Sequence, residues 1–200
     1  NDYIEGIFSY FSNKYHIELK NNFNKYDYQH ELYRYSKKDP VKDLVIDEID
    51  YHIILDKIFD QLGGLSFKEK AIKEIKDALK EKCYYFYKDK WEIKVSGKKL
   101  IYTDGYCSKS RWSSEYDFHS TDWLNLVLKA FSYNIYLPTL SNLYGGYVRF
   151  EEEDFESGFS APSVGVEHIK FYKNGRVDIT FQSGEFCRNF AREWCGYTLV

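Results

Sequence analysis

The sequence predicts an α+β fold in which an N-terminal helical hairpin packs on a small antiparallel sheet closed by a C-terminal helix. Apolar residues recur at helical spacing over residues 41–86 and again in the last stretch of the chain. Between these segments they alternate at strand spacing in two hairpin-like stretches. Because helices and strands do not follow a regular βαβ rhythm, the α+β class is favoured over a parallel α/β fold.

The helical hairpin is predicted over residues 41–88. Its first helix ends at Gly63-Gly64, because glycine adopts the left-handed conformation common at helix ends. Ser66 and Glu69 have the spacing of a capping box, and the helix that they begin runs on through Phe86. The apolar stripe of the first helix consists of Val45, Ile46, Ile49, Ile53, Leu55, Ile58, Phe59 and Leu62.

We treat the 200 residues as a single α+β domain with three parts. Residues 1–40 form an irregular or helical N-terminal arm, in which residues 3–11 show helical spacing. Residues 41–88 form the helical hairpin. Residues 89–200 form a mixed region of sheet and helix.

The mixed region begins with a hairpin that turns at Ser96-Gly97. Residues 104–120 are polar and turn-rich, and we expect a loop there. A helix is predicted to start near Ser120 or Thr121, and a short strand is predicted at 147–150. This part of the chain therefore supplies strands before and after one central helix.

A second hairpin is predicted over residues 166–181, with its turn at Asn174-Gly175. It follows an acidic loop at 151–156 and precedes a helix capped by Ser183. Side chains alternate across a strand, so the hairpin has two different faces. The apolar face carries Ile169, Phe171, Val177, Ile179 and Phe181, and the last helix covers it with Phe186, Phe190 and Trp194. The other face carries His168, Lys170, Tyr172, Arg176, Asp178 and Thr180.

The polar face of the second hairpin suggests a nucleic-acid-binding surface, since basic and aromatic side chains on a sheet hold phosphates and stack bases. The net charge of −3 permits this function without favouring it. The alternative is an ordinary solvated face on which Lys170 or Arg176 pairs with Asp178. The predicted contacts to nucleic acid, or to a protein that handles nucleic acid, are Lys170, Tyr172, Arg176, Arg188 and Arg192.

The segment 66–99 is a second candidate surface, because its many lysines alternate with aromatic residues. It lies in a stretch, 61–110, that holds 12 basic and 7 acidic residues. A plain charged helix surface is the alternative, since acidic residues are interspersed at the i,i+4 spacing of helical ion pairs.

Two other classes of function stay open, and whether the chain is an enzyme is left undecided. One is a divalent-metal-dependent nuclease or phosphodiesterase that uses Glu151–Asp154 with His168 or His119, because carboxylate oxygens bind Mg²⁺ or Mn²⁺. The other is a protein–protein interaction module with exposed aromatic residues, whose oligomeric state the sequence leaves open.

A weaker metal hypothesis comes from Glu48, His52 and Asp56, which share one face of the first long helix. Charge stripes of this kind are common on solvated helix surfaces. The sequence contains no GxxxxGK[ST], GxGxxG, GxSxG or HExxH motif. We therefore assign no metal site and no cofactor.

The cysteines and the hydropathy pattern indicate in which cellular compartment the protein is found. Cys83, Cys107, Cys187 and Cys195 lie far apart and form no zinc-ligand spacing, so we expect reduced thiols. No run of about 18 apolar residues is present, and we expect no membrane partner. Together these features predict a cytoplasmic protein.

The C-terminal residues FYKNGRVDITF and FCRNFAREW resemble the end of a family of uncharacterised bacterial proteins, a domain of unknown function. An upstream stretch, DKIFDQLGG, is also similar. Phage, plasmid and genomic-island DNA carries these proteins, often near or fused to adenine-specific DNA methyltransferases. The resemblance implies a setting of conflict between mobile elements and their hosts, in which nucleic acid or a defence protein is the natural partner. Our leading hypothesis is a non-enzymatic nucleic-acid-binding or defence or anti-defence accessory protein, whose partner is nucleic acid or a protein that handles it.

Overall fold

The computed structural model describes residues 2–22, 51–111, 113–119, 122–131, 147–161 and 165–198. These residues form helices and antiparallel sheets, which confirms the predicted α+β class. They divide into two compact units, Asn1–Ala71 and Ile72–Val200. Within the described ranges, no helix is long and apolar enough to cross a lipid bilayer.

Several predicted features lie outside the described residues. These are the part of the N-terminal arm beyond residue 22, the first half of the first long helix, and Glu48 of the candidate metal stripe. The two candidate helix starts, Ser120 and Thr121, also lie outside them.

The first unit contains helix α1 (Asp2–Tyr15), helix α2 (Tyr51–Leu62) and the beginning of helix α3 (Phe67–Cys83). The predicted helical spacing at residues 3–11 is therefore confirmed. Helices α1 and α2 share an apolar cluster, and aromatic rings stack between α1 and the start of α3. The cluster consists of Ile4, Phe8, Ile54 and Ile58, and the stacked rings are Phe11, Tyr15 and Phe67.

The buried face of α2 is narrower than the predicted stripe. Ile54, Ile58 and Leu62 are buried at intervals of four residues, which is close to the helical repeat. Ile53 is only half-buried, and Phe59 is exposed. The predicted stripe included Ile53 and Phe59 but omitted the fully buried Ile54. This helix has apolar residues on more than one side, and its packing against α1 selects the side that is buried.

The junction between α2 and α3 follows the predicted capping chemistry. Gly63 and Gly64 have φ angles of 61° and 81°. The Ser66 backbone N–H donates to Glu69 Oε2 at 2.8 Å, and the Glu69 N–H donates to Ser66 Oγ at 3.3 Å. The Ser66 hydroxyl also donates to Glu69 Oε2 at 2.7 Å, and the hydrogen bonds from the Ser66 N–H and hydroxyl hold the pKa of Glu69 below its ordinary value.

Helix α3 ends at Cys83, so the prediction that it runs through Phe86 is wrong. The chain instead forms strand β1 (Tyr84–Tyr85), a 3₁₀ turn (Phe86–Lys88) and strand β2 (Lys90–Trp91). The Cys83 carbonyl accepts a hydrogen bond from the Glu92 N–H at 2.8 Å, which directs the chain away from the helix axis.

A five-stranded antiparallel sheet organises the second unit, in the order β3-β4-β10-β9-β8. Both predicted hairpins are confirmed within it, as β3–β4 and β9–β10. Strand β4 also pairs with β10, so that the two hairpins join into one sheet. The strands are β3 (Ile93–Ser96), β4 (Lys99–Tyr102), β8 (Phe159–Ala161), β9 (Val166–Phe171) and β10 (Val177–Phe181).

A three-stranded antiparallel sheet consists of β5 (Tyr106–Lys109), β6 (Tyr116–His119) and β7 (Tyr147–Phe150). Strand β7 is as predicted, but β5 and β6 correct the loop predicted at 104–120. Their polar residues hide the strand pattern, since Phe118 is their one fully buried residue. The Phe118 ring meets that of Phe171 at 5.1 Å between centroids, so the two sheets share a core.

Helix α4 (Asp122–Phe131) confirms the predicted central helix, and it buries Trp123, Leu124, Val127 and Leu128. The acidic segment predicted as a loop is instead a short helix, α5 (Glu152–Ser157). Two features explain this helix: the Glu151 N–H donates to Asp154 Oδ2 in a capping box, and Phe155 inserts into the core.

Helix α6 (Gly184–Glu193) closes the sheet, with Ser183 Oγ accepting from the Phe186 N–H at 3.0 Å as a cap. The predicted apolar face of the second hairpin is buried in full. Phe190 covers it, with its ring 5.5 Å from that of Phe181. Phe186 also lies with its ring 5.5 Å from that of Phe181, although it remains 39% exposed, and Trp194 packs at the edge of the same core. Cys187 and Ala191 of the same helix are buried beside them.

Gly105 and Gly175 are in backbone contact where the connection after β4 crosses the β9–β10 turn. A methyl group at Gly105 would overlap the Gly175 carbonyl, and one at Gly175 would overlap the Gly105 carbonyl. Gly175 also has a φ of 87°, which a side chain disfavours. The crossing therefore requires glycine on both chains.

We expect Gly105→Ala to lower the free energy of unfolding by about 1–3 kcal/mol, as overpacked sites do, measured by denaturant unfolding. Gly6→Ala is the control, because Gly6 lies in α1 with open space around it. That change should raise the stability of its helix by about 0.5–1 kcal/mol. Equal stability of the Gly105→Ala variant and the parent would contradict the close approach.

Candidate functional site

The face of the five-stranded sheet that is turned away from α6 gathers the charged residues of both hairpins. Strand pairing places Lys94, Ile101, Asp178 and Lys170 in one row across β3, β4, β10 and β9. We call this the outer face. It comprises Lys94, Ser96, Lys99, Ile101, His168, Lys170, Tyr172, Arg176, Asp178 and Thr180.

Asp178 is the buried centre of the outer face, at 1% exposure. The Arg176 guanidinium donates two hydrogen bonds to the Asp178 carboxylate, from Nε to Oδ1 at 2.6 Å and from Nη2 to Oδ2 at 2.8 Å. The Tyr172 hydroxyl donates to Oδ2 at 3.2 Å, and Lys99 Nζ lies 3.6 Å from the same oxygen. A bidentate arginine and two further partners thus compensate the carboxylate for the water that it loses.

Tyr172 contacts the cationic side chains around Asp178 through its ring. The Arg176 guanidinium lies 4.8 Å from its ring centroid, and Lys170 Nζ lies 5.7 Å from it. Partial burial, followed by the charge of Asp178, raises the pKa of the Tyr172 hydroxyl. Tyr172 and Arg176 therefore hold Asp178 in place, which is the pairing foreseen as the alternative for Arg176.

The outer face nevertheless keeps an excess of positive charge. Among the described residues of the outer face, four side chains are cationic and one is a carboxylate, namely Lys94, Lys99, Lys170 and Arg176 against Asp178. Lys94 is exposed, and within the described ranges neither Lys94 nor Lys170 forms an ion pair. These two lysines are the groups best placed to meet an anionic ligand.

The structure separates the five predicted contact residues into two sets. Lys170, Tyr172 and Arg176 lie together on the outer face. Arg188 and Arg192 are exposed on α6, which packs against the opposite face of the sheet. One flat ligand on the outer face therefore does not reach the two helix arginines.

The residues of the phosphodiesterase hypothesis do not form one site. The Glu151 N–H and Asp154 close the cap of α5, and Glu152 pairs with Lys173. His168 lies on the outer face, and His119 lies on β6 beside Tyr106. No group of three histidine, cysteine or acidic side chains among the described residues is placed to hold a metal ion, and His52 and Asp56 belong to no such group.

A cleft of about 200 Å³ in the second unit gathers carboxylates that are far apart in the sequence. They come from α3, the residue after β2, the connection after β4, and the first turn of α4, so no spacing rule reveals them. We call it the acidic cleft. It is lined by Glu81, Lys82, Tyr85, Glu92, Tyr102, Asp104, Asp122 and Trp123.

The lysines of the segment 66–99 lie at different places in the structure. Lys94 and Lys99 belong to the outer face, whereas Lys82 and Lys90 pair with Asp122 and Glu92 at the acidic cleft. The segment is therefore not one continuous basic groove.

We expect Arg176→Gln to lower the free energy of unfolding by about 1–3 kcal/mol, because it leaves a buried carboxylate with too few donors. Lys94→Gln, an exposed change on the same face, should stay within about 0.5 kcal/mol of the parent. Chemical denaturation of both variants measures the difference. If the two variants are equally stable, Asp178 does not depend on Arg176.

A comparison with models of protein families, with curated proteins and with solved structures found no match for the chain. The resemblance of the C-terminal residues to the mobile-element family stays a prediction.

Proposed function

We propose that the protein is a non-enzymatic nucleic-acid-binding protein that holds the phosphate backbone on the outer face. The observation that carries the proposal is the row of the sheet that ends in Lys94 on one side and Lys170 on the other. Phosphate contacts by lysine supply most of the affinity of sequence-independent binding. The net charge of −3 does not oppose this function, because the charges are unevenly distributed.

The dimensions of the outer face suit a chain of phosphates better than a single anion. Lys94 and Lys170 are separated by three strand spacings, or about 14 Å at the usual distance between strands. Lys99 lies between them on β4, in the neighbouring row. Two phosphates of one strand therefore find a lysine each, and Lys99, which lies 3.6 Å from Asp178, adds positive charge between them.

The contacts of Tyr172 favour backbone binding over base reading. Base stacking needs an accessible ring face, and Arg176 and Lys170 already lie against the Tyr172 ring. We therefore infer that the bases are not recognised individually. An accessory protein in a conflict between mobile elements and their hosts, acting in the cytoplasm, is the setting implied by the family resemblance.

The test is the salt dependence of binding to a labelled single-stranded oligonucleotide and to a duplex, measured by fluorescence anisotropy. Lys94→Gln with Lys170→Gln removes two phosphate contacts without touching Asp178. The slope of log K against log salt should become shallower by about 1.4–1.8. Arg176 is unsuitable for this test, because its loss also disturbs Asp178.

The matched control is Lys57→Gln with Lys129→Gln, which removes the same charge from exposed positions on α2 and α4. It should leave the slope unchanged. Equal slopes for the two double variants, or binding that is insensitive to salt, would contradict the proposal.

A further inference from the structure

The acidic cleft combines four carboxylates with three aromatic rings. The carboxylates belong to Glu81, Glu92, Asp104 and Asp122, and the rings belong to Tyr85, Tyr102 and Trp123. Of the described residues that line it, Lys82 alone is a cation, so this lining has an excess of negative charge. Carboxylates and aromatic rings are the two groups that attract organic cations.

The neighbouring lysines compensate only part of this charge. Lys90 Nζ lies 3.0 Å from Glu92 Oε2, and Lys82 Nζ lies 3.8 Å from Asp122 Oδ2. Among the described residues, none forms an ion pair with Glu81 or Asp104. Two carboxylates at the cleft are therefore available to a positively charged ligand.

Tyr102 gives an independent indication of a ligand. Its side chain is 98% buried and stacks on Trp123 at 4.5 Å between ring centroids, at an interplanar angle of 6°. The residue lines the cleft, yet its hydroxyl has no hydrogen-bond partner among the described residues. The hydroxyl is not sealed in the core, because the one enclosed and unpartnered side-chain nitrogen or oxygen of the described residues is Asp117 Oδ1. Burial, followed by the charge of Asp104, raises the pKa of the Tyr102 hydroxyl, which places Asp104 near it.

We propose that the acidic cleft binds an organic cation that carries an ammonium or guanidinium group. The Tyr102 hydroxyl accepts a hydrogen bond from the cationic group, while Glu81 and Asp104 supply the counter-charge. This site is separate from the outer face, and its ligand has the opposite charge.

The geometry favours an organic cation over a metal ion. The described residues contain no group of three ligating side chains that converge on one point, as a metal ion requires. The carboxylates lie around the cleft and do not converge on one point. Such an arrangement can bind a guanidinium group, whose charge is delocalised, or a polyamine, which carries several charges along its chain. A volume of about 200 Å³ is below the usual range for drug-sized ligands, so we expect a short amine, a guanidine or one basic side chain.

The experiment is isothermal titration of the full chain with agmatine, with spermidine and with a short arginine-containing peptide. We expect saturable one-site binding of at least one of the three ligands. Tighter binding of agmatine or spermidine would identify a free amine as the natural ligand, and tighter binding of the peptide would identify a protein side chain. Mg²⁺ at the same concentration should not compete. Failure of all three to bind, or displacement by Mg²⁺, would overturn the proposal.

Two sets of variants assign the binding to the cleft. Asp104→Asn with Glu81→Gln should weaken binding by tenfold or more, whereas the charge-matched Asp56→Asn with Glu193→Gln should leave it unchanged. Tyr102→Phe should weaken it about two- to tenfold, the worth of one hydrogen bond, without lowering the unfolding midpoint, since the hydroxyl has no partner in the protein. Equal affinity in all variants would place the ligand elsewhere.

Discussion

The pairing of β4 with β10 is the constraint on which the second unit depends. Each of these strands forms a local hairpin with its neighbour in sequence, but the two hairpins are far apart along the chain. Their union pairs Leu100 with Ile179 inside the core and Ile101 with Asp178 on the outer face. Without it, neither the covered apolar face nor the charged row would extend across four strands.

Burial of Asp178 follows from this union, because a residue on a central strand has neighbours on both sides. An isolated β9–β10 hairpin would leave Asp178 in water, where pairing with Arg176 contributes little. With β4 alongside, the carboxylate is 1% exposed and needs its partners. Arg176 and Tyr172 therefore stabilise the buried carboxylate, whereas Lys94 and Lys170 are available to bind an anionic ligand.

The sequence predicted the features that depend on neighbouring residues. The capping box of α3, the β9–β10 alternation and the cap of α6 each follow from a local pattern, and all are present. The β4–β10 pairing and the acidic cleft were missed because they depend on contacts between distant segments that leave no period. The β5–β6 hairpin is local, and it was missed because its polar residues hide the strand alternation. For the same reason Lys170 and Arg188 were placed in one site, although the sheet separates them.

Strand β4 explains how one unit carries two candidate sites of opposite charge. Successive side chains of a strand point to opposite faces, so Ile101 lies in the row between Lys94 and Asp178 while Tyr102 faces the core and the cleft. The sheet itself then separates the cationic face from the carboxylates. An anion on the outer face and a cation in the acidic cleft would therefore contact different side chains, and the net charge of −3 predicts neither site.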